Sequence, residues 1–156
     1  MISLILLATF GCRQKTMTKP SALATLCDSI RPSEKKPMVI CLLNPNDCIN
    51  CLKAFFIIDK ELKKQHNTTL ILLNTEREIE KQDILKTTVT FDLHDSINRA
   101  VIWDAPLFRA VEKELGYELQ VSQLVVYDPA SKKILMAKPA KTINNATEIL
   151  ELLNGK

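Results

Sequence analysis

The sequence predicts a single α/β sandwich whose sheet begins with parallel strands and ends with an antiparallel hairpin. Short apolar runs of strand length alternate with amphipathic segments of helical spacing through most of the chain. Near the C-terminus, two further strand-like runs flank the turn residues 128–131, and a helical segment follows them. The length of 156 residues suits one ordinary domain, and we find no internal repeat.

The first half of the chain supplies two predicted helices and a strand. Ser21–Ile30 has apolar residues at helical spacing, with Ser21 as the expected N-cap. Met38–Leu43 is a continuous apolar run, which is typical of a strand buried on both faces. Residues 44–47, Asn-Pro-Asn-Asp, have turn chemistry and include a candidate N-cap. They lead into a predicted helix from Cys48 to about Gln65, whose last turn is rich in lysine.

The middle of the chain continues the alternation. Thr69–Leu73 is predicted as a second buried strand, Glu76–Leu85 as a charged helix and Thr87–Leu93 as an extended segment. Ala105–Leu115 is predicted as a helix that Gly116 closes.

The last part of the chain is predicted as a hairpin followed by a helix. The hairpin strands are Val121–Tyr127 and Lys133–Ala137. The helix covers Thr142–Leu153, and its inward face is expected to consist of Ile143, Ala146, Ile149, Leu150 and Leu153.

Composition excludes several classes of protein. Hydrophobic residues make up 46% and charged residues 25% of the chain, as in soluble globular proteins, so we do not expect extensive disorder. The net charge of +3 comes from interleaved basic and acidic residues. No basic stripe with interspersed aromatic residues is present in the sequence, so nucleic acid is not an expected partner. Five cysteines are too few for a disulfide-rich scaffold, and the odd number leaves at least one without an intrachain partner.

The N-terminus has the pattern of a secretion signal. Residues 1–11 are uncharged and mostly apolar, and they end in Gly11 directly before Cys12. At about 1.5 Å per residue this stretch is too short to span a bilayer core of about 30 Å. It is typical of the apolar region of a cleaved signal. The run Ala8–Cys12 resembles a bacterial lipobox, which implies that Cys12 carries lipid and becomes the first mature residue. The alternative is a buried N-terminal strand or helix that ends at Gly11.

Cys48 and Cys51 form a C-x-x-C pair after a predicted buried strand and turn, at the start of a predicted long helix. The free backbone N–H groups and the positive end of the helix dipole stabilise an anion there, which favours the thiolate of Cys48. Cys51 lies three residues further on the same helix face, near enough for a disulfide with Cys48. An exposed attacking thiol beside a sheltered resolving thiol is what thiol–disulfide exchange requires.

A zinc site is the alternative use of the same cysteines, and it needs two more ligands. The remaining candidates come singly and at irregular spacing, namely Cys27, Cys41, His66 and His94. We therefore expect no metal. Cys41 in the apolar strand and Cys27 on the first helix are interpreted as core residues. A Cys27–Cys41 disulfide is an alternative in an oxidising compartment.

The order of elements from about Met38 to the C-terminus resembles the thioredoxin-like superfamily, in particular the envelope thiol–disulfide oxidoreductases of its cytochrome-maturation and peroxiredoxin-related branch. The extra extended segment and helix over Thr87–Leu115, between the second strand and the terminal hairpin, indicate that branch. The resemblance implies a three-layer sandwich around a central mixed sheet. It also implies that Cys48 is the nucleophile and Cys51 the resolving cysteine.

Three residues depart from the family's pattern. Asp47 stands where an aromatic residue is common, and its carboxylate opposes the thiolate and so raises the pKa of Cys48. Leu42 stands where many members have a buried acid. Ser122 stands at the position of the family's cis-proline, so the resemblance assigns Val121 and Ser122 to the substrate groove. A non-proline cis peptide bond costs about 2.5–4 kcal/mol, so we expect the Val121–Ser122 bond to be trans.

These observations predict a secreted, lipid-anchored protein on the periplasmic side of a bacterial cell envelope, which exchanges disulfides with a protein partner. We divide the chain into a signal segment (1–11), a tether with a short helix (12–36) and a thioredoxin-like domain (37–156). No cofactor is implied, and we expect a monomer. Two alternatives stay open because fold alone does not determine function: a thioredoxin-fold accessory lipoprotein with little turnover, and a metal-handling protein that uses the same cysteines.

Overall fold

The computed structural model of the chain describes residues 21–44, 47, 49–74, 98–116 and 122–155. This part of the chain forms four α-helices, which are α1 (Ala22–Ile30), α2 (Ile49–Lys64), α3 (Ala105–Glu114) and α4 (Thr147–Leu153). It also forms five strands, which are β1 (Met38–Leu43), β2 (Thr69–Leu73), β3 (Arg99–Trp103), β4 (Gln123–Asp128) and β5 (Lys133–Pro139).

The five strands form one mixed sheet in the order β3-β2-β1-β4-β5. β1 pairs in parallel with β2, and β2 in parallel with β3. β4 pairs antiparallel with both β1 and β5. Every residue of β1 and of β2 is buried, as expected for continuous apolar strands in the middle of a sheet. The predicted α/β sandwich, with parallel strands first and an antiparallel hairpin last, is therefore confirmed.

Helices cover both faces of the sheet and give it three layers. Side chains alternate between the faces along each strand, so β1 contributes Val39, Cys41 and Leu43 to one core and Met38, Ile40 and Leu42 to the other. The first core is closed by α2 and α4, and we call this side of the sheet the α2 face. The second core is closed by α1 and α3, and we call that side the α1 face.

The ends of the first two helices follow from local sequence. Ser21 caps α1, because its side-chain oxygen accepts a hydrogen bond from the backbone N–H of Ala24 at 3.1 Å. After α2, His66 adopts a left-handed backbone with φ of 55°. The backbone N–H of Asn67 then reaches back to the carbonyl of Leu62 at 3.3 Å, which satisfies one of the last carbonyls of the helix.

The structure differs from the sequence-based expectation in three places. Strand β4 begins at Gln123, so Ser122, which was predicted within the strand Val121–Tyr127, precedes the strand. Strand β3 was not predicted, although four apolar residues follow Arg99, because this run is short and directly follows a charged residue. The strand lies on an edge of the sheet, where it is only partly buried. The last helix begins at Thr147, later than predicted, because the Asn145 side chain accepts the N–H of Thr147 at 3.0 Å and forms a local turn instead. The predicted elements Glu76–Leu85 and Thr87–Leu93 lie outside the described residues.

Candidate functional site

The carboxyl end of β1 and the amino end of β4 lie side by side. Leu42 pairs with Gln123 in the antiparallel register, so the residues that follow β1 lie next to those that precede β4. Asn44 and Ser122 are both buried at this point, with exposed fractions of 3% and 2%. The backbone N–H of Asn44 donates a hydrogen bond to the Ser122 hydroxyl oxygen at 3.1 Å.

Asp47 joins these two residues from the other end of the turn. Its backbone N–H donates to the carbonyl of Asn44 at 3.1 Å, which confirms the predicted turn over residues 44–47. Its Oδ2 accepts a hydrogen bond from the backbone N–H of Ser122 at 2.6 Å. Hydrogen bonds to a carboxylate are shorter and stronger than those between neutral groups. We call Asn44, Asp47 and Ser122 the polar junction.

Helix α2 begins at Ile49, two positions after Asp47, and the backbone of Cys51 lies in its first turn. The first backbone N–H groups of a helix have no partner within the helix and carry the positive end of its dipole. The polar junction therefore adjoins, along the chain, the turn of helix in which the sequence predicted the reactive cysteine pair.

Only some of the predicted site residues fall within the described part of the chain. The backbone of Cys51 and the whole of Ser122 are described. Cys12, Cys48 and Val121 lie outside the described residues, and so does the Val121–Ser122 peptide bond. The disulfide between Cys48 and Cys51, and the substrate-binding role of Val121 and Ser122, stay predictions.

Cys27 and Cys41 are free thiols buried in the two cores, as the sequence predicted. Burial raises the pKa of Cys27 to about 12, and nearby Asp28 adds to the rise. Burial also raises the pKa of Cys41, against a smaller opposing influence of Arg99. Because the two thiols lie on opposite faces of the sheet, the alternative Cys27–Cys41 disulfide does not form. Neither thiol ionises near neutral pH, so neither suits nucleophilic attack.

Helix α2 is held against the edge of the sheet by a buried ion pair. Asp59 on α2 pairs with Arg99 at the start of β3, and the two side chains are only 11% and 5% exposed. Lys63, one turn along the helix, lies 3.6 Å from the other carboxylate oxygen of Asp59 and is 44% exposed. Because α2 also contains Cys51, this pair fixes the helix of the candidate site relative to the sheet.

Sequence reasoning missed the burial of two polar residues, Asn44 in the polar junction and Gln123 beside it. Asn44 directly follows the buried strand β1, and the sequence gives no other sign of its contact with Ser122. Gln123 is 1% exposed, and neither atom of its amide group has a hydrogen-bond partner among the described residues. No pattern marks Gln123, because β4 is buried on both faces and has no polar–apolar alternation.

The described residues contain no group of three or more His, Cys, Asp or Glu side chains placed to hold a metal ion. In the same ranges, no helix combines the length and the apolarity needed to cross a membrane.

A mixed five-stranded sheet with helices on both faces and a long helix directly after the central strand defines the thioredoxin-like fold, and the expected fold class is thereby confirmed. The chain is similar to the solved structure of MTB dsbF, with a TM-score of 0.54 at 12% identity over 78% of this chain and 81% of that one. It is also similar to the thioredoxin domain of a thiol-disulfide oxidoreductase from Bacteroides vulgatus, with a TM-score of 0.53 at 13% identity over 77% and 81%.

A third similar structure is a thiol:disulfide interchange protein from Bacteroides sp., with a TM-score of 0.51 at 12% identity over 78% of this chain and 75% of that one. No protein-family model matches the sequence, and no curated protein matches it either. At these identities the likeness establishes the fold, and the activity has to be argued from the site.

Proposed function

We propose that this protein is a thiol–disulfide oxidoreductase that acts on a protein partner, with Cys48 as the nucleophile and Cys51 as the resolving cysteine. The observation that carries the proposal is the backbone of Cys51 in the first turn of α2, directly after the buried central strand β1 and its turn. A thiol at such a helix start is stabilised as the thiolate, which is the form that attacks disulfides.

The proposed reaction consists of two exchanges. The thiolate of Cys48 attacks one sulfur of the partner's disulfide, forms a mixed disulfide and releases the other sulfur as a thiolate. Cys51 then attacks the sulfur of Cys48, which releases the second partner thiol and leaves a Cys48–Cys51 disulfide. The partner gains two electrons and two protons, and the protein loses them. The reverse sequence oxidises a partner, and neither direction needs a metal, flavin or nicotinamide.

Two observations support this proposal over other uses of the chain. The similar structures named above include a thiol-disulfide oxidoreductase domain and a thiol:disulfide interchange protein. The buried thiols of Cys27 and Cys41 have raised pKa values and lie inside the two cores, so they are unsuited to the same chemistry.

The test is a pair of measurements on the four cysteines after the N-terminal segment. In the reduced protein, we expect iodoacetamide to modify Cys48 at least about tenfold faster than Cys27 or Cys41, because only ionised and accessible thiols react. In cells, Cys51→Ala should accumulate a mixed disulfide between Cys48 and its partner, and Cys48→Ala, the matched control, should not.

The outcomes separate the proposal from its rival. Faster labelling of Cys41 than of Cys48, or the same adducts in both alanine variants, would refute exchange through Cys48. If no adduct forms and the wild-type protein never forms a Cys48–Cys51 disulfide, the protein is an accessory binding module with a thioredoxin-like fold.

We also propose that the protein acts at the periplasmic side of a bacterial envelope, as a monomer anchored by lipid on Cys12. The support is the apolar run that ends at Gly11 directly before Cys12. Cys12→Ser should move the protein from the membrane to the soluble fraction, whereas Cys27→Ser should leave it in the membrane. Wild-type protein that is soluble and retains residues 1–11 would contradict the anchor.

A further inference from the structure

Ser122 is hydrogen-bonded to three residues in two other segments of the chain. Its backbone N–H donates to the carboxylate of Asp47 at 2.6 Å, and its hydroxyl accepts from the N–H of Asn44 at 3.1 Å. Its carbonyl accepts the backbone N–H of Ala140, just after β5, at 2.8 Å. Two of these three bonds need a residue other than proline, because proline has no N–H and no hydroxyl group. The serine at this position is therefore what makes the polar junction.

The hydrogen bond from the Ser122 backbone N–H holds the negatively charged carboxylate of Asp47 in one position. Asp47 is held by its own backbone, through the turn to Asn44, and by its side chain, through the Ser122 amide. Its carboxylate therefore cannot swing away as the carboxylate of an unrestrained loop residue would. The next residue in the sequence is Cys48. The charge of Asp47 acts on that residue against the positive end of the α2 dipole.

We propose that Asp47, held by the backbone amide of Ser122, is a positioning residue that makes the Cys48–Cys51 pair a reductant of its partner. This inference rests on the proposed exchange through Cys48. A fixed carboxylate destabilises the neighbouring thiolate of the reduced protein but leaves its neutral disulfide nearly unaffected. Dithiols whose reduced form is stabilised are oxidants, so a pair whose reduced form is destabilised gives up its electrons more readily.

The electron balance then has a definite direction. The Cys48 and Cys51 thiols become a disulfide, and the partner's disulfide becomes two thiols, with two electrons and two protons transferred. A protein dithiol from outside this chain must reduce the Cys48–Cys51 disulfide after each cycle. The reaction that supplies electrons to this protein is therefore itself a thiol–disulfide exchange.

The test is the equilibrium constant of the full chain with dithiothreitol in defined redox buffers. Asp47→Asn keeps an oxygen that accepts the Ser122 N–H but removes the charge. At a pH above the midpoint of Cys48 alkylation, where Cys48 is the thiolate, we expect it to shift the equilibrium about tenfold toward the dithiol, which is about 30 mV for a two-electron couple. The shift should shrink at high salt, which a merely structural role of Asp47 would not produce. The pH midpoint of Cys48 alkylation should move to lower pH in the same variant.

Matched variants separate charge from folding. Asp28→Asn makes the same chemical change on the exposed surface of α1, and we expect its equilibrium constant to stay within twofold of wild type. Ser122→Pro removes the amide and should shift the equilibrium in the direction of Asp47→Asn but by less, because the released carboxylate remains in the loop.

Two failures are distinguishable. If Asp47→Asn forms the Cys48–Cys51 disulfide with a wild-type equilibrium constant, or shifts toward the disulfide, the role of Asp47 is refuted and the proposed exchange survives. If the wild-type chain forms no Cys48–Cys51 disulfide in any redox buffer, the proposed function fails, and this inference fails with it.

Discussion

The two faces of the sheet each contain a buried carboxylate, and the surroundings of the two differ. On the α2 face, Asp59 is buried and pairs with Arg99, with Lys63 close by. On the α1 face, Glu112 of α3 is 7% exposed, and its Oε1 has no hydrogen-bond partner among the described residues. Burial raises the pKa of Glu112, with Arg109 opposing the rise. Asp59 and Glu112 are thus buried to a similar extent, but Asp59 has an arginine partner, whereas Glu112 has a raised pKa.

A second carboxylate of α3, that of Glu114, differs from Glu112 in having hydrogen-bond donors from α1. Glu114 is exposed, and its two oxygens accept hydrogen bonds from the Ser21 hydroxyl and the Ala22 N–H, both at 2.5 Å. These donors belong to the start of α1, where the helix dipole favours negative charge. On the α1 face a carboxylate therefore joins two helices at the surface, whereas on the α2 face a buried pair joins a helix to a strand.

Breaking the buried pair on the α2 face should have the largest effect on stability. Arg99→Met leaves the charge of Asp59 buried, with Lys63 as the nearby cation within the described ranges, and we expect a loss of about 3 kcal/mol in the free energy of unfolding. Urea denaturation at neutral pH measures it. The double variant Asp59→Leu/Arg99→Met removes both charges and should recover most of the loss, because the desolvation cost then disappears as well.

The comparison of these variants decides whether the pair is coupled. If Arg99→Met costs less than about 0.5 kcal/mol, the pair behaves like an exposed one, and the proposed contrast between the two faces is wrong. A double variant as unstable as Arg99→Met alone would mean that the arginine acts by packing rather than by charge.

The sequence predicted the elements whose signals are local. The apolar runs of β1 and β2, the Ser21 cap and the closure of α3 by Gly116, which has φ of 74°, are all confirmed. Each depends either on a continuous run of apolar residues or on a single residue at the end of a helix. Strand β3 was missed although Ala100–Trp103 is apolar, because the run has only four residues and follows the charged Arg99, whose partner lies on α2.

The candidate site was predictable to the same extent. The helix after the turn and the position of Cys51 in its first turn follow from local sequence. The polar junction does not, because Ser122 bonds Asn44 and Asp47 across 78 and 75 residues of chain. From the sequence, Asp47 and Ser122 are two separate departures from a family pattern. In the structure they are hydrogen-bonded to each other, through the backbone N–H of Ser122 and the carboxylate of Asp47.

Removing the charge of Glu112 should have a smaller effect, of opposite sign. A carboxyl group whose pKa is raised in the folded state binds its proton more tightly when folded than when unfolded. Below pH 4.5, the ordinary pKa of a glutamate side chain, the carboxyl group of Glu112 is largely protonated in both states and does not lower the free energy of unfolding. As the pH rises from there through the folded-state pKa, the unfolded state ionises more readily and the free energy of unfolding falls. We expect Glu112→Gln to be more stable than wild type by about 1 kcal/mol at pH 7, or about 2–4 °C in Tm.

The pH dependence distinguishes this cause from a packing effect. The advantage of Glu112→Gln should vanish below about pH 4, where the wild-type carboxyl is protonated in both states. Glu151→Gln, on the exposed side of α4, is the matched control and should differ little from wild type at any pH. If Glu112→Gln is instead less stable than wild type at pH 7, the buried carboxylate has a cationic partner, and the two faces compensate their buried charges in the same way.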